Sequence, residues 1–327
     1  MTDTSQPPIE ALDARVERRN ERREFFKTAL GATAVAAAGA AAIGLAEQAF
    51  AQSVTDADVL NFALNLEYLE ANFYSFAVNG AAISSDSVSG TGTQGAATGG
   101  RQVAFTDPVV EAYAREFAQD ELAHVNFLRT ALGSSAVAQP AIDLSPSGAF
   151  AAAAKAAGVI SSGSFDPYAS DANFLLGAFF LEDVIVTAYK GLTTLISSAG
   201  YRLAIAGVAA TEAYHAATIR GTLYRKGVAT PTLRTNADKF ADARNALDGS
   251  STDDDDGISP TTPSDGSGAA SNIVPTDDNG IAFSRSTGQV LNILYLTSAA
   301  VTKGGFFPNG VNGTVKTSAN STSGSNG

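Results

Sequence analysis

Glu121-Leu-Ala-His124 and Glu212-Ala-Tyr-His215 contain the only two histidines in a sequence of 327 residues. In each, a Glu stands three residues before the His, which puts both side chains on one helix face and within reach of a single metal ion. Only seven Glu follow position 51, so finding both His in this context by accident has a probability on the order of one in a thousand. Two such helices, joined by one further Glu from each of two others, supply the ligands of a dinuclear carboxylate centre in a four-helix bundle. Glu67 and Glu182 stand where those two carboxylates are needed.

Working outward, the chain repeats itself. Glu121 is followed by Leu128 at +7 and Arg129 at +8, and Glu212 by Ile219 and Arg220 at the same offsets. Glu67 has Tyr74 at +7 and Glu182 has Tyr189 at +7. The order describes two helical hairpins whose antiparallel packing brings four ligand helices around one axis. Each ligand lies in an apolar stripe: Ala63, Glu67, Ala71 and Tyr74; Phe117, Glu121, His124 and Leu128; Ala178, Glu182, Ile185 and Tyr189; Ile205, Val208, Glu212, His215 and Ile219. Four buried carboxylates repel one another and lose their hydration, a conflict that two divalent cations resolve. A network of salt bridges is the alternative, but the stripes carry no Lys or Arg beside the Glu.

The predicted elements are all helical. The first helix runs from the N-cap candidate Thr55-Asp56 to about Asn79, the second from Pro108 to Gly133. The third covers about Ser170–Ser198, and the fourth Tyr201–Gly227. An exposed loop over Gly80–Gly100 and a long crossover over 134–170, with a short helix at Ser147–Ala157, fill the gaps. A fifth helix is expected at Thr287–Ala300. Asp253-Asp254-Asp255-Asp256, amid Ser, Thr, Pro and Gly, reads as a solvated loop without the spacing of an EF-hand. A flexible tail is expected from 314 to 327.

With no Cys, the chain can form neither disulfides nor thiolate ligands, leaving oxygen and imidazole donors that suit iron, manganese or zinc. A net charge of −12, without a basic cluster outside the N-terminus, excludes nucleic acid as a partner. Residues 1–51 read as a targeting peptide. Arg22-Arg23-Glu24-Phe25-Phe26-Lys27 resembles the twin-arginine export motif, a weakly apolar run over Ala29–Ala46 follows, and Ala49-Phe50-Ala51 is a cleavage signal. Cleavage leaves a domain over 52–313, periplasmic or secreted and without stable membrane insertion; retention as an anchor is the alternative. Twin-arginine export carries folded proteins, so metals can be loaded before export.

Glu67, Glu121-x-x-His124, Glu182 and Glu212-x-x-His215 match the ligand order of the ferritin and rubrerythrin superfamily. The wider chain resembles the ferritin-like family that includes plant desiccation-related proteins and many exported bacterial proteins. Asn65-Leu-Glu67-Tyr-Leu-Glu70-Ala-Asn-Phe73-Tyr74, Gln289–Tyr295 and Gly304–Gly313 carry that narrower match. The resemblance implies a ferritin-like four-helix bundle holding two Fe or Mn ions, bridged by two of the four Glu and capped by His124 and His215. It implies O₂, peroxide or metal ions as partners, in a ferroxidase, oxidase or catalase type of oxidoreductase. The alternative is a non-enzymatic protein that sequesters metal or protects during drying. No rubredoxin-like Cys-x-x-Cys module is present to deliver electrons.

Four residues beside the ligands have open roles. Asp120 can hold the second ring nitrogen of a His on the neighbouring helix; its counterpart Thr211 cannot do so as an acid, which makes the two metal positions inequivalent. Tyr74 and Tyr189 are either core aromatics or partners of the ligand carboxylates. Glu70 shares a face with Glu67 and offers an extra ligand, although the Tyr register selects Glu67.

Overall fold

The computed structural model describes residues 54–250, 252–261 and 268–319. The targeting segment read in residues 1–51 lies outside them. The described chain is a bundle of α-helices: α1 (Asp56–Asn79), α2 (Pro108–Leu132), the short α3 (Ala149–Ala156), α4 (Asp171–Leu195), α5 (Ala199–Ala229), α6 (Thr232–Asp248) and α7 (Thr287–Tyr295). α1 packs along α2 and α4 along α5, the two hairpins expected from the repeat.

Local chemistry sets the helix ends. Thr55 and Asp58 form a reciprocal capping box at the start of α1, and Gly80 (φ 71°) ends it in the left-handed conformation. Asp107 caps α2 and Pro108 occupies its first turn. Ser170 caps α4 and Ser198 caps α5, only three residues after Leu195. α4 is long and apolar enough to cross a membrane, but Phe174–Ile185 is buried throughout and forms the centre of the bundle.

Both α1 and α4 are buried along most of their length, and the face of α1 turned away from the bundle is covered by loops rather than by another helix. Its outer face carries Asn61, Asn65 and Asn72, which hold those loops by their backbone. Asn61 donates to Ser135 O (3.0 Å) and accepts from Val137 N (2.9 Å). Asn65 and Asn312 exchange bonds of 2.9 and 3.0 Å. Each satisfies buried peptide groups that would otherwise lack a partner. Two of the segments that carried the family resemblance, around Glu67 and Gly304–Gly313, therefore meet in space.

Four expectations need correcting. The loop over 80–100 is not simply exposed: β1 (Ala97–Thr98) pairs in parallel with β2 (Ile142–Asp143) of the crossover, and Val88 and Ala97 are buried. Gly95 lies so close to the Ala141 backbone that a Cβ would collide with it. Second, α6 was not foreseen; its Leu233, Ala237, Phe240, Ala241 and Arg244 form a buried stripe. Third, α7 stops at Tyr295, because Leu296 adopts φ 58° and the chain reverses so that Phe306 N bonds Leu294 O. Fourth, the tail is tied down as far as it is described, by Ser318 N to Val301 O and Ala319 N to Gly288 O.

The acidic segment is also more than a solvated loop. Asp255 is buried and accepts from Arg244 Nη2 at 2.6 Å and Arg285 Nη2 at 3.1 Å. Arg244 also binds Asp183, which takes Arg220 Nη1 at 2.7 Å, while Arg285 binds Asp248 at 2.8 Å. Three buried Arg and three buried Asp thus neutralise one another. Arg220 donates further to the carbonyls of Asp256, Gly257, Asn272 and Ile273, clamping the loop against α5.

Candidate metal centre

All six sequence-selected residues converge at the centre of the bundle. Glu67 comes from α1, Glu121 and His124 from α2, Glu182 from α4, and Glu212 and His215 from α5. All four carboxylates are completely buried. Two overlapping sets form. In one, Glu67, Glu121, His124 and Glu212 present ligand atoms within 4.8 Å of one another; in the other, Glu121, Glu182, Glu212 and His215 do so. Glu121 and Glu212 belong to both sets, the placement required of bridging carboxylates.

Distances define the two positions. His124 Nδ1 lies 3.0 Å from Glu212 Oε1, 3.2 Å from Glu67 Oε2 and 3.5 Å from Glu121 Oε2. His215 Nδ1 lies 2.9 Å from Glu121 Oε1 and 3.8 Å from both Glu182 Oε1 and Glu212 Oε2. Nevertheless, eight ligand atoms across these six residues lack hydrogen-bond partners: one oxygen each of Glu67 and Glu182, both of Glu121 and Glu212, and both Nδ1 atoms. Buried polar atoms rarely go unpaired, and so many unpaired atoms facing one point are what a metal site requires. Two divalent cations would balance the four carboxylates in charge. The donor set fits the implied metals.

Proton affinities reflect the same crowding. Burial, then repulsion by the neighbouring Glu, raises the Glu67 and Glu182 carboxyls well above the usual range despite the nearby histidines. Burial would likewise raise Glu121, but the two imidazoles beside it, at 3.5 and 2.9 Å, overcome this and lower it. Burial opposes the charged form of each imidazole, yet the surrounding carboxylates raise both His124 and His215. The metal-free site is thus rich in protons that cations must displace.

Surrounding residues fix the ligands. Tyr189 on α4 donates to Glu67 Oε1 and Tyr74 on α1 donates to Glu182 Oε1, so each hairpin's tyrosine holds the other's carboxylate. These tyrosines are hydrogen-bond partners of the candidate ligand carboxylates as well as core aromatics. Asp120 Oδ2 stands 3.4 Å from His215 Nε2, on the far side of that ring from the centre. Phe117 packs on His215 with ring centroids 4.1 Å apart. The adjacent Asp183 turns away from the centre to Arg220 and Arg244, while Glu182 faces the centre among the candidate ligands.

Residues 55–225 match the family model described as a ferritin-like domain. The chain belongs to the ferritin-like family. Among curated proteins, the chain is similar to a ferritin-like catalase of Nesocodon mauritianus, 29% identical over 80% of this chain and 84% of that protein. It is also 29% identical to a desiccation-related protein of Craterostigma plantagineum, over 78% of this chain and 82% of that one. Both are the kind of relative the resemblance implied.

Sequence reasoning missed the Arg220–Arg244–Arg285 cluster that braces α4, α5 and α6 behind the site. Arg244 carried a readable signal, since it occupies the apolar stripe of α6 four residues after Phe240.

Proposed function

We propose that the protein is an exported ferritin-like enzyme with a dinuclear Mn or Fe centre that disproportionates hydrogen peroxide. Two overlapping ligand sets sharing Glu121 and Glu212 carry this reading. The reaction needs no electron donor, and one relative is named a ferritin-like catalase. Bound as a pair by these residues, such ions would supply a two-electron redox change.

The protein's own residues limit what can react. The four carboxylates are wholly buried, and the side chains of His215 and His124 are 3% and 12% exposed, so only a substrate of a few atoms can enter without rearrangement. Tyr74 and Tyr189 hold Glu182 and Glu67 in place by O–H donation. Asp120, reaching from His215 Nε2 to a partly exposed position, can hold the imidazole proton at that atom and keep Nδ1 directed at the centre. Export rests on Arg22-Arg23 and Ala49-Phe50-Ala51.

A second reading follows from the desiccation-related relative, equally identical over a similar length: a protective or metal-sequestering protein using the same centre. Oxygen evolution from hydrogen peroxide by Mn- or Fe-loaded protein, abolished by Glu121→Ala, selects the catalase. Iron oxidation without peroxide turnover selects a ferroxidase. A correctly metallated protein that does neither selects the protective role.

A further inference from the structure

The outward face of α5 is left uncovered by the described residues. Between Arg202 and Arg225 the titratable or charged side chains that lie on the helix, Glu212, His215 and Arg220, are all buried, so no charge reaches the surface there. What does reach it is apolar: Leu203 is 58% and Tyr214 75% exposed, with Ala, Gly and Thr at the exposed positions between them. A contiguous surface of this kind marks a site of interaction.

Spacing along the face is symmetric about Tyr214. Gly207 and Gly221 stand seven residues to either side, and Ala210 and Thr218 four. Leu203 and Arg225 stand eleven residues away. At 3.6 residues per turn, all of these lie within about 40° of one line along the helix. A two-fold axis through Tyr214 therefore lets an antiparallel copy of α5 set Gly207 against Gly221 of the second copy, and Leu203 against the alkyl stem of Arg225. Gly221 is the telling position. Gly is destabilising inside a helix relative to Ala, yet a Cβ added here would meet no neighbouring atom within 4 Å. Nothing among the described residues requires the missing side chain; close approach of another helix does.

The face is also large enough. Val109 and Tyr113 of α2 border it in a groove beside Thr218 and Gly221, and Val274 borders it beside Ala213 and Ala217. With those flanks the strip over 203–225 is about 33 Å long and about 24 Å wide, or roughly 800 Å², the area each partner of a stable pair buries. Charge selects the occupant. Copies carrying a net charge of −12 repel one another where acidic surfaces meet, and an uncharged face is where they can approach. We infer that two copies of this chain pair antiparallel through α5, on a two-fold axis at Tyr214. The pair then covers the turn that carries His215, and its formation does not depend on the reaction proposed above.

Sedimentation velocity of the purified full-length protein measures the pairing, and the absence of Cys lets single cysteines map the axis. Wild type at micromolar concentration should sediment at twice 33.3 kDa. Tyr214→Glu and Gly221→Arg should each weaken the pair at least tenfold by placing charge inside it. Gly221→Ala should weaken it too, while raising the Tm of the dissociated protein by about 2–4 °C; only crowding between copies produces that opposition. Tyr214→Cys should cross-link on oxidation, since the axis brings both copies of residue 214 within disulfide reach, whereas Lys155→Cys, exposed on α3, should not. Circular dichroism checks the fold of each variant, and the cysteine variants serve if the charged ones do not fold. A monomeric wild type overturns the inference; if that monomer floats with phosphatidylcholine vesicles, the face belongs to a lipid surface instead. A dimer that survives all three substitutions unchanged, or that cross-links through Lys155→Cys and not through Tyr214→Cys, overturns the assignment to α5.

Discussion

Replacing Asp183 with Ala tests whether the buried charge cluster braces the site. One Asp183 oxygen, Oδ2, accepts from Arg220 at 2.7 Å and Arg244 at 2.8 Å, and the residue is 5% exposed. Three Arg and three Asp balance; without Asp183, one positive charge remains buried with no counterion. Breaking a buried pair this way costs about 3–5 kcal/mol, against about 0–1 kcal/mol for a surface pair. At about 2–4 °C per kcal/mol for a chain of this size, Tm should fall by about 6–20 °C. Glu111→Ala, which breaks an exposed i,i+4 pair with Arg115, should move Tm by less than about 2 °C. Because Asp183 adjoins Glu182 and Arg220 lies on α5 beyond His215, metal affinity should fall alongside Tm. Scanning calorimetry with metal titration measures both. A Tm for Asp183→Ala within about 2 °C of wild type would refute the reasoning that the cluster's charges are mutually dependent.

Tyr74→Phe and Tyr189→Phe each remove one donor to a buried ligand carboxylate and should cost about 1.5–3 kcal/mol in the metal-loaded protein, where that carboxylate is charged; calorimetry of both states checks this. The metal-free protein should lose stability as pH rises from about 5 to 8. Its Glu67, Glu70 and Glu182 carboxyls are raised and keep protons that the unfolded chain has released. His124 and His215, also raised, contribute stability that is complete below their unfolded value and fades above it. Each extra proton held gives a slope of about 1.4 kcal/mol per pH unit. With metal bound the trend should reverse, since cations displace those protons and bind more weakly in acid; melts at constant metal concentration distinguish the two. A metal-free protein whose stability rises with pH over this window would contradict the crowded-carboxyl picture.

The hairpins, the four principal helices and all six ligand candidates were legible because a repeat and a strict i,i+3 spacing carry them. The reciprocal tyrosines were legible too, from their shared offset of seven residues. What escaped depends on contacts distant in sequence. The polar composition of α6 obscures a stripe that includes the completely buried Arg244, and no local pattern reveals that Asp183 and Asp255 neutralise it. Asp253–Asp256 looks like any solvated acidic run until Arg244 and Arg285 draw Asp255 inward. The end of α7 at Leu296 is similarly hidden: an apolar residue gives no sign that Phe306 must reach Leu294. Glu70 was visible as a sharer of the Glu67 face, but only burial without a partner separates it from an ordinary surface acid.

Elemental analysis of the purified full-length protein after reconstitution with Mn(II) or Fe(II) tests the central claim most directly. Close to two ions per chain should be found, with a marked loss in Glu121→Ala because that residue belongs to both ligand sets. A folded, stable wild-type protein that takes up neither metal would contradict it.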